Sequence, residues 1–357
     1  MKRCIAALAA VLLSGCATPV TEGPEVSIDA RNEETRRQQE YVLAVRSEET
    51  ARLLRIAEHV KAANVELCHR RALSIGAHFE SIYDYAGQMR AAAKAVHGVS
   101  GKPQVTWLDE RGPAAKAGLR MGDQLLAVNG SRVASGPKAG KSARGLLAAA
   151  LHGSQNLQIQ RGDQVFTFDI VGRQVCGYPF FIADSDDVNA FADGDRVVFM
   201  RGMMRFVKND DELALIVGHE LAHNVMGHID KSKQNALWGA LGGALIDIAL
   251  AAGGINTGGD IAEAGAQAGA LAHSPEFESE ADYVGLYFAA RAGYDVERSE
   301  EFWRRRAVDN PSSIRKTTTH PTSVKRFLTL AATRREIAER KEAGQPLLPR
   351  LKKDSPL

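Results

Sequence analysis

Apolar positions along the chain fall into stretches of different period. Val42, Val45, Leu53, Ile56 and Val60 recur at near-helical spacing, so residues 31–64 read as one long amphipathic helix or two. From about residue 96 to 172 the pattern changes to short β-like runs separated by glycine. There the runs at 157–160 and 165–170 would form a hairpin across Arg161-Gly162-Asp163, and Asn129-Gly130 fits a tight turn. Leu213, Ile216, Val217 and Leu221 then lay an apolar stripe along a helix. Asn209, Asp210, Asp211 and Glu212 supply its cap and the acidic first turn that suits the macrodipole. Residues 237–254 are about as long as a short membrane-crossing helix, but Asp247 interrupts them and Gly and Ala crowd them. A helical hairpin, in water or facing a membrane, fits that stretch better than a span. Helices through Tyr287, Phe302 and Phe327 follow, and the tail from Ala343 onward, with three prolines, reads as poorly ordered.

The chemistry concentrates in His219-Glu220-Leu221-Ala222-His223. Two histidines four apart on a helix project from one face, about one turn apart, which suits a single zinc ion. A glutamate between them can reach a water on that metal without ligating it. Two imidazoles still need a third protein ligand, and a carboxylate is the usual addition in hydrolytic sites. Glu278-Ser279-Glu280-Ala281-Asp282 offers candidates, and spacing alone does not separate Glu278 from Glu280. G-x-S-x-G is absent and no cysteine has a catalytic context, so the signatures of nucleophilic serine and cysteine chemistry are missing.

These motifs resemble those of the gluzincin peptidases typified by HtpX and BepA, zinc proteases of bacterial membrane-protein and envelope quality control. The matching residues are Asn189-Ala190-Phe191-Ala192, Asp211-Glu212-Leu213-Ala214, His219 to His223 with His228, Glu278 to Asp282, and His320-Pro321. They run in the family's order over close to half the chain. The resemblance implies one zinc ion per chain held by His219, His223 and Glu278, with Glu220 as general base. It implies that Asp282 accepts a hydrogen bond from a ligand histidine. It also implies that Asn189, Ala190 and Phe191 form a strand beside the active-site helix where a substrate could add. His320 would lie close to the metal, stabilising the transition state or capping the zinc in a latent form; the alternative is a plain turn before a helix starting near Thr322. Tyr283 and Tyr287 are weaker candidates for an oxyanion donor, and His228 reads as a cation closing the motif helix.

The N-terminus bears on the compartment. Lys2 and Arg3 precede an apolar run from Ile5 to Leu13, too short for a persistent span and suited to a secretory signal. Leu13-Ser14-Gly15-Cys16 resembles a bacterial lipobox, which implies lipidation at Cys16, and Ala17 after it favours outer-membrane sorting. Of the four cysteines, Cys4 would leave with the signal and Cys16 carry the lipid, so Cys68 and Cys176 remain. In an oxidising periplasm they are expected to form one disulfide, two buried free thiols being the alternative. The 45 basic residues exceed the 43 acidic ones by Lys2 and Arg3 alone, so the mature chain is near neutral. No concentrated basic stretch points to nucleic acid.

Residues 112–119 and 121–130 are similar to the core of bacterial PDZ domains, which bind extended peptides by strand addition. No clear Gly-Leu-Gly-Phe-type loop stands near Val99 to Val105, so peptide binding is less supported than the fold. The expected class is α+β: a mostly α-helical zincin-type peptidase domain with a small β-sheet, plus a β-rich PDZ-like domain. The expected organisation is a lipoprotein signal at 1–15, a tether at 16–30 and an N-terminal helical segment packing on the peptidase at 31–95. A PDZ-like domain at 96–172, the zinc peptidase at 173–335 and a tail at 336–357 complete it. The expected function is a lipid-anchored zinc endopeptidase, outer-membrane and periplasm-facing, degrading unfolded or misassembled envelope proteins, with an envelope assembly partner or a second copy as further partners. Its rivals are a latent or chaperone-like peptide binder with a capped zinc site and a zinc hydrolase of cell-wall peptide. Intact Glu220 weighs against the first.

Overall fold

The computed structural model describes residues 21, 23–149, 153–252, 257–271, 274–309 and 324–351. Helix α1 (Ile28–Ala63) is one continuous element whose N-cap, Ser27, accepts a hydrogen bond from Ala30 N at 3.1 Å. Most of its buried positions lie in the C-terminal half, where Leu53, Leu54, Ile56, Ala57 and Val60 are buried; in the N-terminal half Leu43 is buried, whereas Val42 and Val45 are exposed. Leu43 packs in a small cluster with Ala92, Ala93 and Val99, whereas Leu53, Ile56, Ala57 and Val60 join the large core.

After α1 the chain leaves the peptidase body and returns to it at one point. Strand β1 (Arg71–Ser74) pairs antiparallel with β8 (Arg173–Cys176), Arg71 opposite Cys176. A disulfide joins Cys68 to Cys176, their Cα atoms 5.6 Å apart. The segment between them holds β2 (Ala77–Glu80), α2 (Arg90–His97), β3 (Gln104–Leu108), α3 (Pro113–Lys116), β4 (Gln124–Val128), β5 (Ser131–Arg132), α4 (Ala139–Ala149), β6 (Ser154–Arg161) and β7 (Gln164–Val171). Its sheet runs β2-β3-β4-β6-β7, with β5 paired to β4. Asn129 and Gly130 both have positive φ, at 48° and 77°, the conformation of a tight β4–β5 turn. Gly162 and Asp163 close the β6–β7 hairpin, where Arg161 stands opposite Gln164. Phe79, Val105, Leu125, Leu157, Ile159 and Ile170 form the core of this unit.

The sheet therefore begins at Ala77 and not after residue 96, and residues 71–74 and 77–80 are strands, not part of a helical segment. Four-residue strands carry too little alternation to be read, and β1 belongs to a different pairing from β2. The C-terminal expectation is also revised. Helix α11 (Val324–Glu342) runs past residue 335 with Ile337 buried, and the described residues beyond it are docked as far as Arg350. Arg291 donates to Leu347 O at 2.9 Å, and Arg350 N donates to the Tyr283 hydroxyl at 2.9 Å.

The peptidase body pairs β9 (Phe180–Ala183) parallel with β11 (Val197–Met200), which pairs antiparallel with β10 (Ala190–Ala192) at the edge of that sheet. Around it lie α5 (Arg201–Phe206), α6 (Asp210–Val225), α7 (His228–Ala252), α8 (Asp260–Leu271), α9 (Ser274–Arg291), α10 (Ser299–Asp309) and α11. The class is α+β.

Charges are buried where the two units meet. Lys61 bonds Glu58 at 2.7 Å on α1, and Arg173 of β8 reaches Glu58 at 3.3 Å and Asp109, just after β3, at 2.6 Å. Burial alone would raise the Glu58 carboxyl, but Lys61, the Ser74 hydroxyl and Arg173 outweigh it and hold the group at about 2. A depressed carboxylate stabilises the fold fully above its unfolded value of 4.5 and loses that contribution as pH falls towards 2. At neutral pH Glu58→Gln should therefore cost on the order of 3 kcal/mol relative to wild type. Urea midpoints followed from pH 7 to pH 3 should show that gap closing below about pH 4.5. A gap independent of pH would disprove the assignment.

Candidate metal centre

Asn209 caps α6 by accepting from Glu212 N at 2.9 Å, and Arg305 pins the Glu212 carboxylate through two bonds of 2.7 Å. From Leu213 to Val225 every residue of α6 is buried, so the motif histidines sit on a helix that threads the core. Helix α9 crosses it at two glycines. A Cβ on Gly218 would lie 2.4 Å from Gly285 O, and one on Gly285 would lie 2.7 Å from His219 N. Any side chain at either position would push the helices apart, and this near-backbone contact brings the α9 carboxylates up to the histidines.

Three donor atoms converge there. His219 Nε2 is 3.2 Å from His223 Nε2 and 3.5 Å from Glu278 Oε2, and His223 Nε2 is 3.4 Å from Glu278 Oε1. A tetrahedral zinc with bonds of about 2.0–2.1 Å separates its donors by roughly 3.3–3.4 Å. His219, His223 and Glu278 form the group of metal-competent side chains found among the described residues, and all three are buried. Glu220, Glu278 and Asp282 are buried carboxyl groups, and Arg326 is a buried guanidinium, on the helices that meet there. Two imidazoles with one carboxylate are a donor set that suits zinc. Glu220 is 2% exposed and lies outside the donor group.

The surrounding groups fix the rings. For His219 to present Nε2, its Nδ1 must carry the proton, and Asp282 Oδ1 stands 3.1 Å from it. Arg326 grips Asp282 through two bonds of 2.7 Å, reaches Glu278 at 3.1 Å, and lies over the Trp303 ring at 4.1 Å. On the other ring, His223 Nδ1 is 3.1 Å from His228 Nδ1, and His228 Nε2 is 2.8 Å from Glu280 Oε2. With His223 donating to His228 and His228 donating to Glu280, both protons have acceptors. Burial favours neutral imidazoles at both motif positions, but Asp282 and Glu278 overcome it at His219 and push that ring up to about 9. At His223, burial and the neighbouring charge of His219 prevail over Glu278 and push the ring down to about 4.

Residues 166–334 match the profile of Peptidase family M48. This is an M48 peptidase domain. Residues 104–161 match a PDZ domain, which with the sheet described above makes the chain an M48 domain carrying a PDZ domain ahead of it. The M48 domain is similar to the beta-barrel assembly-enhancing protease of Yersinia pestis, at 30% identity over 36% of this chain and 28% of that protein. The Escherichia coli (strain K12) protein of the same name is 30% identical over 35% of this chain and 27% of its own length. The mitochondrial metalloendopeptidase OMA1 of Arabidopsis thaliana is 33% identical over 30% of this chain and 21% of its own. The likeness thus spans less than a third of each relative.

Around the M48 site the structure separates the two carboxylates that spacing left open: Glu278 joins the donor group and Glu280, turned away, holds His228. His228 does not close α6. It is buried at the start of α7, stacked on Phe277 at 4.7 Å. Gly227, with φ 67°, ends α6 one residue earlier, and that glycine was the available signal. Tyr283 and Tyr287 bond Glu336 on α11, at 3.3 and 2.8 Å, and so are occupied away from the donors. Ala190 is buried and Phe191 half-buried on β10, which packs against α6, and Asn189 O accepts from Met200 N at 2.9 Å. Asn224, unremarked in the sequence, ties α6 to the β10–β11 turn through Gly194 N at 2.9 Å and Arg196 O at 3.1 Å. His320 and Cys16 lie outside the described residues.

Proposed function

We propose that the chain is a zinc-dependent endopeptidase of the bacterial cell envelope that cleaves unfolded or misassembled proteins. The observation that carries this reading is the tetrahedral spacing of His219, His223 and Glu278 beside a buried Glu220. In that role the two imidazoles and Glu278 hold one zinc ion per chain. A bound zinc supplies Lewis acidity and lowers the pKa of water at the site. Glu220 takes the proton of the attacking water and delivers it to the departing amine. Asp282 and His228 keep the ligand rings in the tautomers that face the metal. His320 is the proposed donor to the developing oxyanion. The edge strand β10, with Asn189 just before it and Ala190 and Phe191 in it, suits substrate that lies extended along the site. The envelope assignment rests on the Leu13-Ser14-Gly15-Cys16 sequence, read as a lipid-anchor site facing the periplasm, and on the names of the bacterial relatives.

The donor assignment is tested by metal content. Glu278→Ala should purify with little zinc and no activity, whereas Glu280→Ala should keep about one zinc per chain with only a partial loss of affinity, ~10–100-fold, through His228. Equal zinc retention in the two variants would remove Glu278 from the ligand set.

A further inference from the structure

Helix α7 leaves the metal site at His228 and, with α8, forms the hairpin that joins the helix of His219 and His223 to the helix of Glu278. The two backbones touch. A Cβ on Gly243 would lie 2.3 Å from Ile261 O, and one on Gly265 would lie 2.2 Å from Gly239 O. Asp247, the charge that interrupts the apolar stretch, is turned into the hairpin, where it accepts from Ala262 N at 2.9 Å and from the Thr257 hydroxyl. The one acid of that stretch is thus satisfied internally.

What remains outside is apolar. Leu237, Trp238, Leu241, Leu245, Ile246 and Ile248 are 48–72% exposed, and no charged residue is exposed between Leu237 and Ile248. At about 100° per residue these six cover roughly half the helix circumference, centred opposite Gly239 and Gly243, where α8 lies. A coiled-coil partner takes a narrow two-position seam, whereas an arc this broad matches a plane. Lys231 and Lys233 are exposed at the end nearer the body, Lys233 standing 3.8 Å from the exposed Asp230, and Glu263 and Gln267 are exposed on α8. Among the described residues no helix is long and apolar enough to cross a membrane.

We infer that the outer face of α7 docks in the plane of an anionic lipid bilayer. The aliphatic side chains enter the boundary of the acyl region, Trp238 takes the interfacial position that its amphipathic ring favours, and the two lysines meet anionic headgroups. Helix α8 stays on the water side with Glu263 and Gln267. The docking does not depend on the proposed peptidase activity. Given that activity, it sets the α6–α9 crossing beside the membrane surface.

The test uses the full chain with Cys16→Ser, which has no acylation point, and vesicles of phosphatidylethanolamine with phosphatidylglycerol. Of the three tryptophans, Trp107 and Trp303 are 9% and 5% exposed and Trp238 is 72% exposed, so emission reports on the proposed face. Vesicles should shift the emission to the blue and shield it from acrylamide, and the Trp238→Phe chain should show neither change. Leu245→Glu should lower vesicle partitioning about tenfold or more while leaving cleavage of a soluble unfolded protein unchanged. Partitioning that survives Leu245→Glu without any change in Trp238 emission overturns the inference. So does an emission shift that appears without vesicles and grows with protein concentration, which assigns the face to a second copy. Equal binding to vesicles of phosphatidylcholine alone would overturn the anionic requirement.

Discussion

Glu220→Gln should abolish most peptide hydrolysis, by about 10²–10⁴-fold, while the protein keeps its fold and about one zinc. The substitution conserves shape and removes only the basic oxygen. Glu220 is buried, so a residue of the same volume leaves the packing of α6 intact. It stands outside the donor group, so metal content should not fall. The loss corresponds to about 3–5 kcal/mol of transition-state stabilisation, far more than any change in substrate binding from one neutral amide. Cleavage of an unfolded protein, with zinc measured on the same samples, reads both quantities. A variant that keeps zinc and cuts at a rate near wild type would show that Glu220 is not the base.

Arg326→Ala should be the most destabilising single substitution at the site. The guanidinium is 2% exposed, holds Asp282 by two bonds of 2.7 Å and Glu278 at 3.1 Å, and covers Trp303. Removing one partner of a buried ion pair strands the other, at about 3–5 kcal/mol. Here two carboxylates lose their guanidinium at once and keep the motif histidines as partners. Zinc offsets part of their charge, so the loss measured by chemical denaturation should be larger for metal-free than for zinc-loaded protein. Asp282→Asn added to Arg326→Ala should recover part of it, because the uncompensated charge goes with it. A loss under about 1 kcal/mol in both forms would mean that the pair is solvated or replaceable.

The motif was legible because its spacing is geometric: histidines four apart share a helix face whatever surrounds them. The choice between Glu278 and Glu280 was not, because two residues apart on a helix point to opposite sides. Which side faces the histidines depends on how α9 crosses α6, and the crossing is set by Gly218 against Gly285. His228 was misread because it lies beyond the helix break at Gly227, so the macrodipole argument for a cation at the end of α6 does not reach it. Arg326 is legible in no local pattern, since α11 reaches the site only through the tertiary fold. In the PDZ unit the Asn129-Gly130 turn and the β6–β7 hairpin could be read from adjacent residues. β2 could not, being four residues long and paired with a strand more than twenty positions later.

The ribbon of β1 and β8, closed by the Cys68–Cys176 bond, brings both ends of the PDZ unit to one place on the peptidase body. A segment that leaves and re-enters a domain at adjacent residues can be shortened, exchanged or removed without redirecting the chain on either side. The PDZ unit is in that sense an interchangeable cassette. Its sequence is free to change while the donor group of the body stays under its own separate constraints.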